Sequence, residues 1–201
     1  PELLQESFSE MIQKLNPSFI RNFTSDMINK FSSFLSTCGR MTNEYFVKSI
    51  KTIYNWFPKV SYDQTRFYIK KTLNDPNLLD KYEKNAFTQL KVITKNKLND
   101  NILKPLSTMY AYISLVSPGK ADDTMKDMML KTMSDLSKDK TLKEGLVFDD
   151  MLHITTLRHV FNTINRFFPR FFTFGTMIPL ILIVMLFQVI FHTLIIGGLL
   201  G

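Results

Sequence analysis

Residues Met177–Ile196 read MIPLILIVMLFQVIFHTLII, twenty positions broken only by Pro179, Gln188, His192 and Thr193, and the longer stretch 171–201 contains no Asp, Glu, Lys or Arg. A helix rises about 1.5 Å per residue and the hydrocarbon slab of a bilayer is roughly 30 Å thick, so this run has the length of one membrane crossing. The rest of the chain is too polar to follow it. The organisation expected from this contrast is a helical soluble domain over residues 1–145, an amphipathic membrane-approach helix over 146–170 and a transmembrane anchor over 171–201.

Immediately before the run, residues 151–170 hold Arg158, Arg166 and Arg170 and no acid. Bases flanking a span on one side favour the side that is not translocated, which places the N-terminal body on the cytoplasmic face or, in a mitochondrion, on the matrix face. Mixed with Phe167, Phe168, Phe171, Phe172 and Phe174, the three arginines are also candidates for holding anionic lipid headgroups. Inside the run, Gln188 and His192 are four apart and share a helix face. Neutral polar groups in lipid usually meet a partner helix, so these two are candidate intramembrane helix contacts. Gly197 and Gly201 have small-residue spacing, but they stand where little helix remains to organise.

Upstream, apolar residues recur at three and four positions, the signature of helices. Val is sparse while Leu, Met and Lys are common, which disfavours strands. The first stripe, over 2–15, stops at Asn16-Pro17. The second, over 18–38, is Phe19, Phe23, Met27, Phe31, Phe34 and Leu35, with Gly39 as its stop. A third over 42–56 buries Phe46, Ile50, Ile53, Tyr54 and Phe57. Ser61 with Gln64 fits a capping box opening a helix to about Leu73, and Asp75-Pro76 opens a long helix to Lys97. Asn99 or Asp100 caps the next, which carries Leu103, Leu106, Tyr110, Ile113 and Val116. A Met-rich helix follows from Asp122, a polar linker spans 137–145, and a last helix from Asp149 presents Leu157, Val160, Phe161, Ile164 and Phe168. The expected fold class is all-α: an irregular multi-helix soluble domain of about seven or eight helices plus one C-terminal transmembrane helix. The Asn, Asp and Pro at successive junctions allow a solenoid of stacked pairs, but no fixed repeat period supports one.

The net charge of +7 is concentrated in 61–120. Those lysines interleave with core positions and read as a solvated face, so no nucleic acid is expected. Cys38 is the sole cysteine, which excludes an intrachain disulfide and fits a reducing compartment. The Asn22-Phe23-Thr24 sequon falls within a helical stripe, and the opening at Pro1 without an apolar leader fits a processed chain.

Chemistry-bearing patterns fail one by one. Gly119-Lys120 lacks the phosphate loop's earlier Gly and later hydroxyl, since Ser114 and Ala121 occupy those positions. His153 and His159 point to opposite helix faces and His192 lies in the apolar run, so no metal or other cofactor is expected. Asp149 and Asp150 near His153 read as ordinary acids at a helix start, and Cys38 has no neighbouring base. The Met125–Met133 stripe is either core or an adaptable partner groove. A non-enzyme is expected.

Two functions follow from different classes. The first is a non-catalytic accessory subunit of a multisubunit membrane complex, most naturally a mitochondrial inner-membrane respiratory or ATP synthase complex, with other subunits and the bilayer as partners. The second is a tail-anchored helical binding or regulatory protein on the outer mitochondrial or endoplasmic reticulum membrane. That layout resembles the Bcl-2 family, and Asn55-Trp56 is similar to the start of its Asn-Trp-Gly-Arg motif. Phe57 and Pro58 replace the Gly and Arg, so the salt bridge that shapes the family's groove is missing and the resemblance spans two residues.

Overall fold

The computed structural model describes residues 25–57, 59–94, 98–116, 157–158, 160–162, 164–165 and 177–197. The expected helices over 2–15 and from Asp122, the linker, and the phenylalanines flanking the apolar run lie outside these. Among the described residues the fold is all-α. In chain order it comprises α1 (Ser25–Thr37), a 3-10 turn (Cys38–Arg40), α2 (Asn43–Trp56), α3 (Tyr62–Thr72), α4 (Asn77–Ile93), α5 (Asp100–Val116) and α6 (Met177–Ile196). The described residues of 157–165 are helical as well.

The boundaries follow the capping chemistry. Thr42 accepts from the amide of Tyr45 at 3.2 Å and Ser61 from that of Gln64 at 3.1 Å, each satisfying an amide that has no intrahelical partner. Asp75 accepts from Asn77 at 3.1 Å in a turn ahead of α4. The cap of α4 is Pro76 and its first helical residue Asn77, one position later than Asp75-Pro76 was expected to open it. Of the two candidate caps for α5, Asn99 is the one used: its side chain accepts from Asn101 at 2.8 Å and its carbonyl from Ile102 and Leu103. Helix α4 ends at Ile93, four residues before Lys97. Gly39 lies in the 3-10 turn against the Asn162 side chain, where an added Cβ would approach to 3.3 Å.

The core takes in Phe31, Phe34 and Leu35 of α1, the stripe expected in α2, and Leu103, Leu106, Tyr110 and Ile113 of α5, together with Leu157, Val160, Phe161 and Ile164. Helix α5 is more enclosed than an amphipathic stripe requires, being buried at nearly every position from Ile102 to Ser114, because α4 packs on one side of it and α6 on another. In its interior, Ser107 donates to the Leu103 carbonyl at 2.7 Å.

Helix α6 is long and apolar enough to cross a membrane, and 72% of its most apolar stretch, Pro179–Ile196, is buried within the protein. It packs on α5 and also on α3 and α2. Helix α6 thus lies against the helices of the body. A helix that is apolar on every side must be covered on every side, and either lipid or surrounding helices meet that requirement.

Candidate functional site

The feature with functional content is α6 and the surfaces that receive it. Phe187 and Phe191 project from one face into a cluster of rings. Phe187 meets Phe161 edge-on at 4.8 Å between centroids and Phe31 at 4.9 Å, and Phe191 meets Phe34 at 6.2 Å. Phe46 continues the cluster to Phe34 and Phe161. Edge-to-face pairs add about 0.5–1.5 kcal/mol beyond the area they bury. The rings come from α1, α2 and the segment at 157–165, so α6 binds three sequence-distant pieces at once.

The adjacent face carries the polar pair. His192 Nδ1 lies 2.7 Å from the Tyr54 hydroxyl, and the two rings stack with centroids 5.9 Å apart. Gln188 is 2% exposed and its Oε1 accepts from the Val60 amide at 3.2 Å. Its Nε2 has no partner among the described residues. Gln188 and His192 were expected to meet a partner helix within the membrane; the partners they have in this chain are α2 and the segment leading to α3. Tyr54 was legible as a core position; that its hydroxyl meets α6 is a tertiary fact with no local signal.

Arg158, expected at a lipid headgroup, points into the fold. Its Nε donates to the Cys38 carbonyl at 3.1 Å, one terminal nitrogen to Asn43 Oδ1 at 2.7 Å and the other to the Met41 carbonyl. The guanidinium also lies over the Phe46 ring at 6.0 Å. Carbonyls at the end of a helix lack partners, and a planar five-donor group can satisfy several together. Arg166 and Arg170 lie outside the described residues. Beneath this clamp, burial pushes the Cys38 thiol up to about 12, opposed by a smaller pull from Arg158. The thiolate that nucleophilic chemistry needs is thus suppressed.

A second polar cluster joins α3, α4 and α5. Arg66 reaches Glu83 through Nε at 3.1 Å and a terminal nitrogen at 2.7 Å, and Asp80 at 2.8 Å. Thr108 donates to Glu83, and the Tyr62 hydroxyl stands 2.7 Å from Thr108. Burial raises the Tyr62 phenol to about 12, and the Glu83 hydrogen bond raises Arg66. Every strong donor here has an acceptor inside the cluster, the arrangement of a structural tie. No group of three or more His, Cys, Asp or Glu residues placed to hold a metal occurs among the described residues. No protein-family model matches the chain, and comparison with curated proteins and with solved structures returns no significant match.

Proposed function

We propose that this is a non-catalytic helical binding and regulatory protein that reaches a membrane through α6 and that keeps α6 docked in its own body when away from lipid. The observation that carries the reading is the double fit of one helix: twenty residues free of charge, long enough to span, with both of its intrusive polar side chains engaged by α2 and the adjoining segment. A fully buried large apolar side chain contributes about 1.5–3 kcal/mol. The contacts of α6 therefore sum to tens of kcal/mol in gross terms, and its release into water is closed. Transfer into lipid exchanges one apolar surrounding for another, and the vacated Phe31, Phe34, Phe46 and Phe161 faces then need lipid or a partner to cover them. The outer mitochondrial and endoplasmic reticulum membranes are the proposed locations.

Flotation of the full-length protein with vesicles tests this. A detergent-free soluble form that also floats with vesicles, and whose floating fraction is lost in Ile183→Lys, is expected. A soluble form that never floats makes α6 a core helix and removes the membrane role.

A second reading is supported by the Gln188 amide, whose Nε2 is buried without a described partner. With α6 undocked into a bilayer, that amide is free to meet a neighbouring subunit's acceptor, as in an accessory subunit of a mitochondrial inner-membrane respiratory or ATP synthase complex, with the body on the matrix side and the other subunits as partners. Co-migration with a large assembly after mild detergent extraction is its expected result. A lone monomer peak removes it.

A further inference from the structure

We draw no further inference here: the strongest candidate, the open trough between α1 and α2 lined by Phe34, Ile53 and Trp56, carries nothing because no feature of the structure shows what covers it.

Discussion

Helices α5 and α6 are the two most enclosed helices described, and they reach that state by different means. Helix α5 carries Asp100 and Lys104 in its first turns; its buried Ser107 bonds to its own helix, and its Thr108 ties it to Glu83 of α4. Helix α6 has no charge at all, yet its buried Gln188 and half-buried His192 look outward, to Val60 and Tyr54. Burial alone therefore does not separate a core helix from a membrane helix. The separation lies in the charged first turns of α5, which suit it to a protein interior with that end near water, whereas the uncharged α6 is compatible with either surrounding.

The sharpest way to break the comparison is a charge at the centre of α6. Ile183 is fully buried, and Ile183→Lys is expected to cost more than about 4 kcal/mol, because an unpaired ammonium is costly in a core and in lipid alike. Denaturant melts and vesicle flotation should both fail; a folded variant that still floats would show that α6 is neither core nor span. Next comes Phe187→Ala, which removes the ring shared by Phe31 and Phe161 and should lower unfolding stability by about 3–5 kcal/mol. A loss under 1 kcal/mol would mean that α6 does not reside in the aromatic cluster.

On the α5 side, Glu83→Ala removes one of the two carboxylates that Arg66 reaches and the acceptor that Thr108 meets on α4. Since Arg66 keeps 27% of its side chain in solvent and Glu83 13%, a loss of about 2 kcal/mol is expected, with flotation unchanged. Tyr54→Phe, which deletes the hydroxyl facing His192, should cost about 1 kcal/mol and increase the floating fraction. An unaltered fraction would show that this bond does not hold α6 in place.

The smallest effect concerns alkali. Cys38 and Tyr62 have folded-state values raised to about 12 from ordinary values of 9.0 and 10.0. A raised value means that the protonated form is favoured by folding, so the associated stability is complete below about pH 9 and declines as pH rises toward about 12. Stability of Cys38→Ala should therefore fall less steeply across that window than that of the native chain. In the native chain, thiol reagents at neutral pH should label Cys38 only on unfolding.

Much of the fold was legible because helix periodicity and capping are local. The stripes Phe46-Ile50-Ile53 and Leu103-Leu106-Tyr110, and the cap Ser61, needed only spacing and side-chain chemistry to be found. Arg158 was misplaced for the same reason: three arginines before an apolar run form a local pattern, whereas the carbonyls of Cys38 and Met41 that engage one of them lie over a hundred residues away.

The sequence by itself determined that the chain is helical, that one stretch is apolar on every side, and that Gln188 and His192 share a face needing partners. Only the tertiary structure decided who those partners are and that the stretch lies within the helical body. The physical reason is that hydrophobicity states a requirement to leave water without naming the destination, and a bilayer and a ring of phenylalanines satisfy it equally until the distant segments are brought together.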